Sequence, residues 1–513
     1  LADRRKRLGA HYTPVALAGF VAERVVELLG DAPPRVLDPA CGDGELLAAV
    51  AKLRPDAELV GYDLDPDAVV AARARLPEAV IERRDFTDDA PTGGRFDAVI
   101  TNPPYVRTQV LGSAAAPLAA RFGLSGRIDL THPFVAMVPR LLVDGGVLGL
   151  ICSNRFLTTK AGANVRERLA ADFAVREVFD LGDTKLFEAA VLPAVVVAVK
   201  GAETGAARFA SAYEFEVPAE EGDLFAALMG QTGTAISFGG RSFRVDVGTL
   251  VGGQTWRLST PDRERRLNRI AERTWRTLGE LARVRVGIKT TADPVFIRAD
   301  WADVEPDLLR PLLTHEDISA WAPPRAPRLR VLYPYLDRPT RQVVRLDDYP
   351  RAAAYLSGHR DRLAARRYLV EAGREWFEIW VPQRPAAWRA PKIVFPDISP
   401  EPRFTIDRGG SVVNGDCYWI SVPELGEDLA HLVLGVANSP FGARFYDEVC
   451  GNRLYAGRRR WITQYVARLP LPDPSTAASR LVIDLARRLT QVQDPTLLAE
   501  LAAAVPAAFG EVE

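Results

Sequence analysis

The chain has 513 residues, 65 Lys+Arg against 66 Asp+Glu and a net charge of -1, a length that calls for two or three domains and a balance that excludes a nonspecific basic coat for nucleic acid. No apolar run approaches the roughly 18 residues of a membrane span, and the basic opening LADRRKRLGAHYTP lacks the apolar stretch of a signal peptide, so a cytoplasmic location is expected. The four cysteines and five histidines show neither Cys-x-x-Cys nor His-x-x-x-His spacing, which leaves no zinc or disulfide framework to expect. A first residue of Leu rather than Met points to a trimmed start.

Residues 11 to 200 alternate short apolar runs with amphipathic stretches, the pattern of a mostly parallel sheet covered on both faces. The first helix is read in PVALAGFVAERVVELLG, and the first strand, RVLDPA, leads through CGDG into the helix GELLAAVAKL. Gly42 and Gly44 permit positive φ and a close ligand, and Asp38 at the strand's end suits a cationic amine. Twenty-five residues on from Asp38, the strand in ELVGYDL closes with Asp63, where such folds place an acid on ribose hydroxyls. Asp65 reads as the cap of DPDAVVAARARL. The third strand, AVIERRD, presents Asp85 for an adenine amino group and Phe86 for its ring. An adenosyl ligand in an acidic-ended pocket fits S-adenosylmethionine better than a dinucleotide.

The fourth strand, FDAVITN, runs into TNPPY. Two prolines cannot donate ladder hydrogen bonds, so the strand stops in a rigid turn beyond its carboxyl end, where ligands of this fold bind. The Asn102 side-chain oxygen and the Pro103 carbonyl are two acceptors that can grip one exocyclic amino group and aim its lone pair at a methyl donor. Tyr105 offers a stacking face, and a base from duplex DNA reaches such a turn only when flipped out. Residues 106 to 128 form a loop-like insertion with Arg107, Arg121 and Arg127 available to phosphate. His132 in DLTHPF reads as structural, since the amine can shed its proton to water. The helix FVAMVPRLL and the strands GVLGLICS, VREVFDLG and LPAVVVAVK follow; from 201 to 255 the Gly-, Ala- and Thr-rich text, with one helix in DLFAALMG, reads as the close of the domain and a connection.

The ordered set AHYTP, DPACGDG, GYDLDP, RRDF, TNPPY, GVLGLICSNRFL and LFEAAVLPAVVVAV resembles the γ-class DNA adenine-N6 methyltransferases, the TaqI-like group in particular, over nearly the whole chain. The resemblance implies a Rossmann-like α/β domain, dependent on S-adenosyl-L-methionine, over 1–255, then a mixed α+β DNA target-recognition domain over 256–474 and terminal helices over 475–513. It places Tyr12, Thr13 and Pro14 at the methionine end of the cofactor and Asp38, Ala40, Gly42 and Gly44 in its turn. Asp63 takes the ribose, and Asp85 with Phe86 the adenine. Asn102, Pro103, Pro104 and Tyr105 form the catalytic turn, with Asn102 and Pro104 also reaching the cofactor. Phe187 matches the family's second aromatic, which holds the flipped base opposite Tyr105; without the resemblance it reads as core. No metal is needed for the transfer. Double-stranded DNA is the implied partner, bound by a monomer, with a restriction endonuclease as a separate chain in a restriction-modification or phage-defence setting.

All nine tryptophans lie from Trp256 onward, among strand-like pieces (PKIVFPDI, PRFTID, CYWIS) and helices read in RERRLNRIAERTWRTLGELARV and DLAHLVLGVANSPFGARFYDEV. Arg453, Arg458, Arg459 and Arg460, interleaved with Tyr455 and Trp461, make the densest basic cluster and are expected to contact DNA. AASRLVIDLARRLTQV and PTLLAELAAAVPAAF read as the terminal helices. Cytosine N4 stands as the alternative target, because the same acceptors serve its amine; Asn rather than Ser at position 102 favours adenine. A glutamine-directed enzyme lacks the long second domain, an inactive recognition subunit has no use for an intact TNPPY, and no nuclease signature is present.

Overall fold

The computed structural model describes residues 12–86, 95–104, 115–126, 128–187, 192–253, 255–450 and 458–511. Tyr105, Arg107, Arg127, Arg453 and Tyr455 therefore lie outside the described residues. None of the described helices is long and apolar enough to cross a membrane.

The chain divides into two compact units, with the first running to Pro261 and the second taking up from Asp262. In the first unit the predicted strands form as β1 (Arg35–Asp38), β2 (Glu58–Asp63), β3 (Val80–Arg83), β4 (Phe96–Thr101), β5 (Leu142–Ser153), β6 (Phe173–Asp180) and β7 (Pro193–Lys200). The helices are α1 (Val15–Val26), α2 (Glu45–Leu53), α3 (Pro66–Arg75), α4 (Ala115–Phe122), α5 (Thr131–Leu141), α6 (Arg155–Thr158), α7 (Ala163–Asp172) and α8 (Leu224–Met229). Segment 201–255 is more than a connection. It supplies β8 (Arg208–Glu214), β9 (Thr234–Phe238) and β10 (Arg241–Val251), joined by β11 (Arg257–Ser259), and these extend the sheet to the order β11-β10-β8-β6-β7-β5-β4-β1-β2-β3, with β9 on β10.

The sheet is mixed. β3, β2, β1, β4 and β5 are parallel, β7 runs antiparallel between β5 and β6, and β10 is antiparallel to β8, β9 and β11. Side chains of the central strands alternate between two cores, as the period-2 pleat requires. Val36, Ala98, Ile100 and Val147 join one cluster with Leu17 and Val21 of α1. Leu37, Val99 and Leu148 join the other with Phe134 and Val138 of α5 and Leu169 of α7. Trp256 belongs to this second cluster, edge-on to Phe156 with ring centroids 5.8 Å apart. The compact units divide at 261/262 rather than at the expected 255/256, because β11 pairs with β10 and Trp256 packs into the first unit's core.

The second unit is α+β, as expected. One four-stranded sheet orders Arg285–Val286, Cys417–Ser421, Lys392–Pro396 and Thr405–Asp407; another orders Ile297–Arg298, Leu329–Leu332, Leu309–Leu313 and Val412–Val413. The terminal helices Ala477–Leu489 and Pro495–Ala508 are part of this unit rather than an appendage: Val482, Leu485, Leu501 and Val505 share one core with Ile393, Phe395 and Leu432. The helix expected through 263–284 ends at Arg273, where Trp275 donates its amide to the Leu471 carbonyl at 2.9 Å and Arg276–Thr277 pairs with Pro470–Leu471.

Candidate active site

β1 and β4 are parallel neighbours, with Leu37 opposite Val99. The sheet continues through β2 and β3 on one side and β5 on the other, so β1 and β4 border the point at which strand order reverses. Chain connections leave to opposite faces there and open a crevice beyond the carboxyl ends.

β1 delivers Asp38 to that crevice, 1 % exposed, with its Oδ1 accepting the Ala40 amide at 3.0 Å. Burial pushes its carboxyl up to about 7; the Ala40 amide and the nearby Thr101 hydroxyl oppose the shift, and the Asp63 charge adds to it. A carboxyl so placed ionises readily only when a cation joins it. The turn after β1 carries Gly42 at φ +54° and Gly44 at φ +83°, a conformation that a side chain resists, and Gly44 opens directly into α2. Gly42 donates its amide to Asp63 Oδ2 at 2.9 Å, while Asp65 donates to Asp63 Oδ1 at 2.8 Å, so β2's terminal acid is locked against the turn. Burial raises Asp63 as well. Asp65 caps α3 through the Asp67 amide, as its sequence position indicated.

Asp85 lies half-buried beyond β3. Phe86 is 2 % exposed and packs on Phe134 with ring centroids 4.9 Å apart and planes tilted 35°. One of its faces thus belongs to the core of the sheet's α5 side. Tyr12, 41 % exposed, sets its ring over the turn: Cδ1 and Cε1 lie 3.5 Å from the point that a Gly42 Cβ would occupy. Pro14 caps the start of α1, with the Ala18 amide donating to its carbonyl at 2.9 Å.

Asn102 follows β4, and its side-chain Nδ2 donates to Thr13 Oγ1 at 3.1 Å. Pro103 is buried and Pro104 half-buried. The turn residue, the Tyr12–Thr13 dipeptide, the glycine turn and Asp63 are thus linked into one connected constellation. His132 is buried on α5, 3.7 Å from Asp129, and desolvation keeps its pKa below the usual imidazole value, in keeping with a neutral structural ring.

Phe187 lies at 6 % exposure in the α1-side core, with Leu181 and Leu224 in the same cluster. To meet a base, its ring would have to be uncovered. The segment carrying it is rooted in a network that the sequence reading missed. Asp180 at the end of β6 accepts from Asn154 Nδ2 at 2.9 Å, from the Tyr213 hydroxyl at 2.6 Å and from the Gly182 amide at 3.1 Å. Burial raises the Asp180 carboxyl despite these donors. Its sequence signal was slight: an Asn one residue past β5 in ICSN, paired with an acid that ends another strand.

In the second unit the arginine run separates. Arg459 gives Nε and Nη2 to Asp447 at 2.7 and 2.8 Å and Nη1 to the Pro400 carbonyl. Arg460 pairs with Asp397 at 3.1 Å, and among the described arginines of the run Arg458 alone is exposed. Within the expected cluster, Arg459 and Arg460 are paired with the half-buried carboxylates of Asp447 and Asp397, which anchor the strand Arg459–Arg460. The tryptophans beside the basic segment divide likewise. Trp388 is buried and packs on Trp419 at 5.2 Å, whereas Trp376 and Trp380 are half-buried with Arg360 and Arg374 over their rings.

The Eco57I restriction-modification methylase family matches residues 74–187, the stretch from α3 through the Asn102 turn to Phe187. Type II methyltransferase M.BanIII of Aneurinibacillus aneurinilyticus is 36% identical, over 95% of this chain and 93% of its own length. Type II methyltransferase M.XhoI of Xanthomonas vasicola is 30% identical over 78% of this chain and 73% of its own length. The solved type IIG restriction endonuclease BpuSI aligns with 97% of this chain and 65% of its own at 16% identity and a TM-score of 0.41. Near-full-length identity of this order carries both units, and the chain belongs to the type II methyltransferases of restriction-modification systems.

Proposed function

We propose that the chain is a site-specific DNA methyltransferase that modifies the N6 amino group of an adenine flipped out of duplex DNA. The observation that carries this reading is Asn102 at the carboxyl end of β4, across the strand-order reversal from the buried Asp38, with its amide nitrogen already engaged by Thr13.

Methyltransferases of this kind draw on S-adenosyl-L-methionine, which supplies an electrophilic methyl group on a sulfonium. The residues present fit such a donor. Asp38 is a buried carboxyl waiting for a cation, and the Gly42 turn lets backbone approach a ligand closely. In this reading Asp63 takes the ribose hydroxyls, Asp85 the adenine amino group and Tyr12, Thr13 and Pro14 the methionine end, with Ala40, Gly44 and Phe86 as walls. On the substrate side the Asn102 oxygen and the Pro103 carbonyl accept the two amino hydrogens. These bonds draw the nitrogen's lone pair out of conjugation and hold it in line for transfer. Pro103 and Pro104 fix the turn, while Tyr105 and Phe187 stack the base. The released proton leaves to water.

The second unit supplies target recognition, with Arg458 and the basic segment around Arg360 and Arg374 meeting phosphate. The enzyme acts on DNA as a monomer in the cytosol, with its cognate endonuclease a separate chain. The test is transfer of labelled methyl from S-adenosyl-L-methionine to duplex DNA by the purified chain, followed by nucleoside analysis. N6-methyladenine that disappears with Asn102→Ala supports the reading; N4-methylcytosine, or no modified base, refutes it.

A further inference from the structure

We propose that the helical elbow of residues 359–374 is a DNA-docking surface of the second unit, with the guanidinium groups of Arg362 and Arg367 on phosphates and the Tyr368 ring against the duplex. The inference rests on the reading that this unit meets DNA, and it narrows the basic segment to three side chains.

The elbow carries five arginines, Arg360, Arg362, Arg366, Arg367 and Arg374, against two acids, Asp361 and Glu371, in a chain whose net charge is -1. That local excess favours a polyanion over a protein of mixed charge. Two short helices, Arg360–Ala364 and Arg367–Glu371, make up its arms. Leu363, Arg366 and Leu369 are buried at three-residue spacing, which leaves Arg362, Arg367, Tyr368 and Val370 exposed. Arg366 bolts the bend to the unit: it donates Nε to the Leu363 carbonyl at 3.1 Å, Nη1 to the Thr290 carbonyl at 2.8 Å and Nη2 to the Trp376 carbonyl at 2.7 Å. The exposed neighbours therefore stand on a backbone that is already ordered, so little entropy is lost when they bind.

Other exposed arginines of this unit are taken: Arg265 pairs with Asp262 and Arg408 with Glu427. Arg459 would have to give up Asp447 to reach a phosphate. Among the described residues nothing accepts a hydrogen bond from the side chain of Arg362 or Arg367, and neither has an ion pair to break. Tyr368 is 41 % exposed beside Val370 at 56 %. Its ring is held edge-to-face by Trp380, with centroids 5.0 Å apart and planes at 81°. Trp380 lies in turn under the Arg374 guanidinium at 5.0 Å, and Arg374 donates to the Trp380 carbonyl. A ring of fixed orientation beside free cations suits a nucleic-acid surface, where charge meets the backbone and the aromatic face meets sugar or base.

The test measures the affinity of the full chain for a short duplex carrying the motif that the wild-type chain methylates, at several salt concentrations, with donor Kd measured alongside. Arg362→Gln combined with Arg367→Gln should reduce the slope of log affinity against log salt by about 2, roughly one for each lost phosphate contact. Tyr368→Ala should lower affinity about tenfold with the slope unchanged, because a ring releases no counterion; Tyr368→Phe should keep the wild-type affinity. Donor Kd should stay at the wild-type value in every variant. An unchanged slope in the double arginine variant overturns the inference and assigns the elbow to solvent or to a protein partner. So does a loss of DNA affinity that is matched by a loss of donor binding. A wild-type chain that neither binds nor methylates DNA overturns the underlying reading as well, whereas normal wild-type binding with insensitive variants overturns the inference alone.

Discussion

Asp38→Asn should make the first unit more stable at neutral and alkaline pH while weakening donor binding. The folded chain holds the Asp38 proton up to about pH 7, whereas the unfolded chain releases it near the ordinary 3.8. The pKa is raised by folding, so this group's contribution is full below the unfolded value and is lost as pH rises through the folded one. At about 1.36 kcal/mol per unit, a shift from 3.8 to about 7 amounts to roughly 4 kcal/mol of penalty at pH 8 without a cation beside the carboxylate. An amide keeps the acceptor for Ala40 and carries no such penalty. Native-state hydrogen exchange of peptides covering β1 and β4 reads the first unit separately. The D38N variant should match wild type near pH 4, and its advantage should grow toward pH 8 to a few kcal/mol. Saturating S-adenosyl-L-methionine should then stabilise wild type far more than the variant. A difference that does not change with pH, or a variant less protected than wild type at pH 8, would refute the assignment of Asp38 as a strained acceptor for a cationic ligand.

Gly44→Ala should lower the thermal midpoint, because φ +83° costs a side chain about 1–2 kcal/mol and a Cβ would also press on Leu76 at 3.3 Å; an unchanged midpoint in calorimetry argues against the turn geometry. Lys392→Met should cost the second unit about 3–5 kcal/mol in urea denaturation. Lys392 is fully buried, 2.7 Å from Asp407, which would be left buried and charged without its counter-ion; the double change Lys392→Met with Asp407→Leu should recover part of that loss. Arg458→Ala should reduce the slope of DNA affinity against log salt by about 1. Arg459→Ala should instead destabilise the fold by about 1.5–3 kcal/mol through the loss of its two hydrogen bonds to Asp447, with the salt slope unchanged. Equal slopes for wild type and Arg458→Ala would remove Arg458 from the DNA interface.

What could be read from sequence followed what is local. β1, β2, β4, β5 and β7 carry apolar runs punctuated by Gly, Pro and Asp, and their burial on both faces makes them stand out. β8 and β10 are half-buried, with polar residues on alternate positions and partners far away in sequence, such as Arg208 against Glu177, so their composition passed for a linker. The helix through Trp275 stopped because the Leu471 carbonyl and the strand Pro470–Leu471 compete for its backbone, a contact nearly 200 residues distant that no periodicity reports. Asp38 and Asp63 stood out in the sequence because each ends an apolar strand. For Arg459 and Arg460 the charge was visible in the sequence, but their pairing with Asp447 and Asp397 was not. The Thr13–Asn102 bond was likewise invisible, since it joins two motifs that the sequence presents as separate blocks.

The most direct measurement expresses the chain in cells that lack DNA methylation and maps modified bases across the genome by strand-resolved sequencing. N6-methyladenine confined to one short motif, and absent when Asn102 is replaced by Ala, is the predicted result. Modification of cytosine at N4, or an unmarked genome, would contradict the account.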